Sequence, residues 1–146
     1  QIVIAGTREG LDAAIAAAKQ LGVRRAMALP VGGAFHTPLM RDARDGLVAA
    51  LADVAFHPPS APVVSNDDAL AHTDADGWRA RLSEHPLRPV RWRESLLTLV
   101  APPLGATHLF EVGHGSMIAG VAKRTVPEAV VIAVDEPSAG ERITAT

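Results

Sequence analysis

The sequence predicts an α/β domain. Short runs rich in Val, Ile and Ala alternate with stretches in which apolar residues recur at helical spacing, and glycines or prolines punctuate the junctions. A content of 48% apolar and 21% charged residues over 146 positions suits one globular core. Strand and helix in alternation make parallel pairing the expected sheet geometry.

The elements follow in order. Residues 2–5, Ile-Val-Ile-Ala, form the first expected strand, and the chain opens inside it, as a piece of a longer protein would. Thr7 suits an N-cap, Leu11, Ile15 and Ala18 mark a helix face, and Gly22 suits the stop. A second strand is expected over residues 25–31. The loop Gly32-Gly33-Ala34-Phe35-His36 then leads to Thr37 as N-cap and Pro38 at the first helical position. Leu39, Ala43, Leu47 and Leu51 fall on one face of the helix that follows, which ends near Asp53. Residues 57–62 are Pro-rich and irregular, residues 63–65 a short strand, and residues 66–77 a polar loop. Helical pattern resumes over 78–82, is broken by Pro86 and Pro89, and returns over 92–100. A strand over 107–112, a Gly113-His114-Gly115 turn, a helix over 116–124 and a strand over 130–134 complete the order.

Composition narrows the function classes. The net charge of −2 gives no electrostatic footprint for nucleic acid. Without cysteine there is no disulfide framework, thiolate nucleophile or Cys-ligated zinc, a composition at home in a reducing cytoplasm. The longest apolar runs fall short of the roughly 18 residues that a membrane span needs, and no basic region followed by an apolar one opens the chain.

The chemistry-bearing patterns are few. His36, His57, His72, His85, His108 and His114 include no i,i+4 pair on a helix, so no metal site is expected. Laying His72, Asp74, Asp76 and Gly77 on a calcium loop puts Ser83 where its last ligand, a glutamate, belongs. Ser116 lies between a strand and a helix, as a nucleophile elbow does, but His114 and Ile118 occupy the places where that elbow needs glycines. Gly113 and Gly115 suit a tight turn better than a phosphate cradle, which would want a third glycine at Ile118. His36 stands out. It sits in a glycine-flanked loop just ahead of a helix N-terminus, a place that suits a general base, although position alone favours a structural or solvent-exposed histidine over a catalytic one.

The segment Pro30-Val31-Gly32-Gly33-Ala34-Phe35-His36-Thr37-Pro38-Leu39-Met40 resembles the catalytic-histidine segment of malonyl-CoA:acyl-carrier-protein transacylases, acyltransferases of fatty-acid and polyketide synthesis. Further segments agree in order and spacing. Gln1-Ile2-Val3-Ile4-Ala5-Gly6 resembles a strand of that family's ferredoxin-like small subdomain, and Pro62-Val63-Val64-Ser65-Asn66 a strand after the histidine helix. Pro89-Val90-Arg91-Trp92 resembles its PVxW motif. Phe110-Glu111-Val112-Gly113-x-Gly115, running on to Lys123-Arg124, resembles its EVGPG segment and helix, with Asp135-Glu136-Pro137-Ser138 close to the tail of the free-standing bacterial enzymes. His114 replaces the usual proline and Ser116 a common lysine.

The resemblance implies the C-terminal half of such an enzyme: residues 1–29 as the end of the ferredoxin-like small subdomain, and residues 30–146 as the C-terminal part of the α/β-hydrolase-like acyltransferase core. The family's nucleophilic serine in its GHSxGE elbow, its oxyanion-hole glutamine and its malonyl-binding arginine would precede Gln1, on another chain or fragment. The implied reaction is ping-pong transfer of malonyl from CoA to the phosphopantetheine thiol of a carrier protein, with no cofactor. His36 would be its general base, and the backbone carbonyl of His85 would orient the ring. Phe35 would shape the acyl pocket for malonyl, and Arg24 with Arg25 would dock the acidic carrier protein. A second class remains open, a non-catalytic scaffold or carrier-protein-binding module that keeps this part of the fold without its chemistry.

Overall fold

The computed structural model describes residues 2–136, so Gln1, Pro137 and Ser138 of the matching segments lie outside the described residues. The order of elements is α1 (Arg8–Gln20), a 3₁₀ turn (Pro38–Met40), α2 (Arg41–Leu51), β1 (Val63–Val64), β2 (Ala71–His72), α3 (Trp78–Glu84), a 3₁₀ turn (His85–Leu87), α4 (Trp92–Val100), β3 (His108–Val112), α5 (Met117–Thr125) and β4 (Val130–Val134). They fall into two compact units, one of Gln1–Pro58 with Asp74–Val90 and one of Pro59–Thr73 with Arg91–Thr146.

The first unit holds α1, α2, α3 and both 3₁₀ turns. Helix α1 starts where the hydroxyl of Thr7 accepts the Gly10 N–H at 3.1 Å. It ends in a Schellman motif, with Gly22 N–H donating to Lys19 O at 3.2 Å and Val23 N–H to Ala18 O at 3.0 Å. That motif needs a left-handed residue, and Gly22 supplies it at φ +76°. Glu9 in the first turn and Lys19 in the last complement the helix dipole.

The strands expected over residues 2–5 and 25–31 are not formed. A strand exists only through a neighbour that completes its hydrogen-bond ladder, and neither run has one among the described residues. The second run instead closes in a tight turn around Pro30, where Val31 N–H donates to Leu29 O at 2.8 Å.

Helix α2 begins as the Thr37-Pro38 pair predicts, with one refinement. Thr37 accepts the Leu39 N–H at 3.2 Å and donates its own hydroxyl to Ala34 O at 2.7 Å, but the first turn is 3₁₀ and the α-helix starts at Arg41. Beyond the other end of α2, the Arg79 guanidinium donates to Ala52 O at 3.0 Å and Val54 O at 2.7 Å and lies over the Phe56 ring. This ties α3 to α2.

The second unit is a hairpin and a β-α-β unit around one small core. Strands β3 and β4 pair in parallel over five residues each, from His108↔Val130 to Val112↔Val134, with α5 as the crossover. Leu96 from α4, Ala119 and Ala122 from α5, Val126 and Val131 form the buried cluster. Alanines on α5 let the helix lie close to the sheet. Strands β1 and β2 pair antiparallel, Val63↔His72 and Val64↔Ala71, where the sequence predicts only polar loop after Ser65. Long-range bonds hold this hairpin: Arg91 N–H to Asn66 O at 3.0 Å, Arg91 Nη1 to Asp68 O at 3.0 Å, and the Thr98 hydroxyl to Ala69 O at 2.8 Å. Asp68 and His72 add a carboxylate–imidazole contact of 3.0 Å across it.

Candidate active site

His36 occupies a tight place in the first unit. Its backbone is left-handed at φ +63°, a conformation that costs a residue with a Cβ and points to a local function or constraint. The glycines before it give the loop room. A Cβ on Gly33 would come within 3.1 Å of the Phe35 ring, so glycine there lets that ring fold back over the loop. Thr37 then anchors the loop at Ala34 O and opens the helix with the same hydroxyl.

The ring of His36 is held from across the unit. Its Nδ1 lies 3.0 Å from the backbone oxygen of His85, forty-nine residues along the chain. A carbonyl only accepts, so Nδ1 carries the proton and donates, which leaves Nε2 with a lone pair. That is the tautomer a general base uses. The same carbonyl accepts the Arg88 N–H at 3.3 Å, closing the 3₁₀ turn that presents it. The two imidazole rings also meet edge to face, centroids 4.8 Å apart and planes at 68°. Arg44 on α2 reaches Glu84, the residue before His85, at 3.6 Å, and its own neighbour Asp45 at 3.1 Å.

The structure therefore brings His36 and His85 together. Phe35 stands beside them on the loop with about half its surface exposed, outside the core of the described residues. Arg24 and Arg25 lie exposed after α1, and no described hydrogen bond or ion pair ties them to the His36 loop.

The Gly113–Gly115 turn resolves differently from an anion cradle. Both glycines take positive φ, +137° and +97°, as a tight turn requires. The free N–H groups at the start of α5 already have an anion, the Glu111 carboxylate, which accepts from Ile118 N–H at 3.0 Å and Ala119 N–H at 2.7 Å. Ser116 sits at the N-cap without a capping bond from its side chain. A pocket of about 360 Å³ in the second unit, lined by Trp92, Leu96, Leu109, Phe110, Ile118 and Val131 among others, is apolar apart from Glu111. No group of three or more His, Asp or Glu side chains that could hold a metal occurs among the described residues.

Residues that matter here and escaped sequence reasoning are Arg44, Glu84 and Glu111. Arg44 and Glu84 stand forty apart, with no pattern to link them. Glu111 had a legible clue, an acid shortly before a helix whose N-cap is not backed by a capping-box partner.

No family model matches the chain. It is 40% identical over 139 residues to the malonyl CoA-acyl carrier protein transacylase of Escherichia coli (strain K12), which covers 95% of this chain and 44% of that protein. The transacylase of Bacillus subtilis (strain 168) is 36% identical over 137 residues, 94% of this chain and 43% of that protein. The chain is homologous to a part of the malonyl CoA-acyl carrier protein transacylases. It spans less than half the length of these relatives. An acyl-carrier-protein S-malonyltransferase from Burkholderia pseudomallei superposes with a TM-score of 0.88 at 33% identity, over 97% of this chain and 45% of that one. A malonyl-transacylase in complex with its type II PKS acyl-carrier protein does so with a TM-score of 0.87 at 32% identity, over 97% of this chain and 45% of that one. The α/β fold is thus shared with these transacylases over the stretch that the chain spans.

Proposed function

We propose that this chain supplies the general base of a malonyl-CoA:acyl-carrier-protein transacylase, and that His36 is that base. The observation that carries the reading is the 3.0 Å contact from His36 Nδ1 to His85 O, which commits the ring to donating at Nδ1 and accepting at Nε2. The similarity to malonyl CoA-acyl carrier protein transacylases supports the substrate class, and the carrier-protein complex of a structural neighbour supports a carrier protein as partner.

In this reading a serine hydroxyl contributed by a segment other than this chain gives its proton to His36 Nε2 as its oxygen attacks the malonyl thioester. The C–S bond breaks, and the departing CoA thiolate takes the proton back from the imidazolium. The carrier's phosphopantetheine thiol next gives its proton to Nε2 and attacks the seryl ester. The serine oxygen leaves and is reprotonated by His36. His85 acts through its carbonyl, holding the tautomer through both halves of the cycle. Phe35, beside the base, forms part of the acyl pocket and favours malonyl, and Arg24 and Arg25 form a docking surface for an acidic carrier. Residues 1–29 belong to the end of a ferredoxin-like small subdomain and 30–146 to the acyltransferase core, a division of the larger enzyme's architecture distinct from the two compact units. The setting is the cytoplasm.

A base without its nucleophile and oxyanion donors has nothing to activate, so the 146-residue chain alone is inactive. Incubation with malonyl-CoA followed by intact-mass measurement checks this, and a malonyl adduct on the isolated chain would overturn it. In the protein that carries this chain, His36→Ala tests the base, and an intact transfer rate would assign that role to another group.

A further inference from the structure

We propose that the imidazole ring of His85, and not only its backbone carbonyl, positions the ring of His36. The inference rests on the reading of His36 as general base and deepens it. A carbonyl acceptor can be offered by any residue type, so the backbone role by itself does not call for a histidine at position 85. The geometry gives the side chain a role: the two rings pack edge to face with centroids 4.8 Å apart at 68°, inside the separation and orientation that aromatic pairs favour.

One hydrogen bond fixes where Nδ1 is, but it leaves the ring free to rock about its bonds to the backbone while the bond is kept. That motion swings Nε2, the atom that must meet the serine and thiol protons, and misplacement of a reacting atom is costly in rate. Three constraints in the structure remove it. The left-handed backbone of His36 sets the direction of its Cβ, the His85 oxygen takes Nδ1–H, and the His85 ring walls one side of the swing. His85 is itself well seated for the task. Pro86 stiffens the 3₁₀ turn that begins at His85, the Arg88 N–H closes that turn onto the same carbonyl, and Arg44 on α2 holds the preceding Glu84. His85 is a positioning residue in this scheme: it touches the base and never the substrate.

Two variants separate ring from carbonyl. His85→Asn keeps the carbonyl and removes the ring. His85→Phe keeps a flat ring and removes its nitrogens. In the transacylase reaction of the protein that carries this chain, His85→Asn is expected to lower kcat by roughly 2- to 12-fold, the rate equivalent of one aromatic pair, with KM for malonyl-CoA unchanged, and His85→Phe to stay near the parent rate. Independently of activity, the protein that carries this chain, labelled with [¹⁵N]histidine, reports the His36 nitrogens directly. The Nδ1–H tautomer should be sharp in the parent and in His85→Phe, and shifted toward an exchanging mixture in His85→Asn. His85→Asn matching the parent in both kcat and His36 nitrogen shifts overturns the proposal, and so does His85→Phe being impaired as much as His85→Asn. If His36→Ala leaves transfer intact, it is the assignment of the base that fails, while the nitrogen shifts still decide whether the His85 ring fixes that of His36.

Discussion

Removing the carboxylate of Glu111 should loosen the start of helix α5 by a definable amount. That carboxylate takes both Ile118 N–H, at 3.0 Å, and Ala119 N–H, at 2.7 Å, so Glu111→Ala frees two donors that no capping bond from the Ser116 side chain replaces. A hydrogen bond to a charged group is worth about 1.5–3 kcal/mol and loss of a cap about 0.5–2 kcal/mol. Glu111 is half-buried, and water can reach part of what is vacated, so the lower range applies. We expect about 2 kcal/mol for Glu111→Ala, and about 1 kcal/mol for Glu111→Gln, which keeps an oxygen acceptor and loses the charge facing the helix dipole. Amide hydrogen exchange is the direct assay. About 2 kcal/mol corresponds to roughly 30-fold faster exchange if those amides open locally, and it should be confined to the first turn of α5 before any global change. Urea unfolding followed by fluorescence of Trp92, in the wall of the adjoining pocket, gives the global term. Exchange at Ile118 and Ala119 unaltered in Glu111→Ala would refute the reasoning, as would Glu111→Gln matching Glu111→Ala, because the oxygen acceptor that Gln retains would then contribute nothing.

Three further outcomes follow from the proposed chemistry. His36→Ala should lower malonyl transfer by about 10²- to 10⁴-fold in steady-state assays, whereas His85→Ala, which preserves the carbonyl, should cost far less. Reversing both charges at the exposed Arg24 and Arg25 should raise KM for the carrier protein, most steeply at low salt, and leave malonyl-CoA hydrolysis unchanged, since exposed charges steer encounter more than chemistry; equal effects on both reactions would indicate misfolding. Phe35→Ser should relax the preference for malonyl-CoA over methylmalonyl-CoA in direct competition by roughly 10- to 200-fold at most, the discrimination one methyl group can carry, and an unchanged ratio would remove Phe35 from the acyl pocket.

The sequence by itself determined the elements whose stabilising partners are near in the chain. Periodicity located α4 at Trp92–Val100, and the Thr7 cap and Gly22 stop of α1, like the Thr37-Pro38 start of the histidine helix, were legible because a cap and its target stand within a turn of one another. Glycines at 113 and 115 announced their turn for the same reason: a positive φ is a property of one residue. The tertiary structure alone decided what depends on distant partners. Residues 2–5 and 25–31 have strand composition but no ladder among the described residues, and β2 has loop composition yet pairs, because bonds from Arg91 and Thr98 hold its hairpin. The motif around His36 marked the residue through its resemblance to a family, while local pattern alone favoured a structural role. What supports its chemistry is a contact across forty-nine residues, with a second imidazole against its ring and an ion pair behind that. Such contacts leave no periodicity and no spacing rule in the chain, since they arise only when α2 and α3 pack and carry the ends of their loops together.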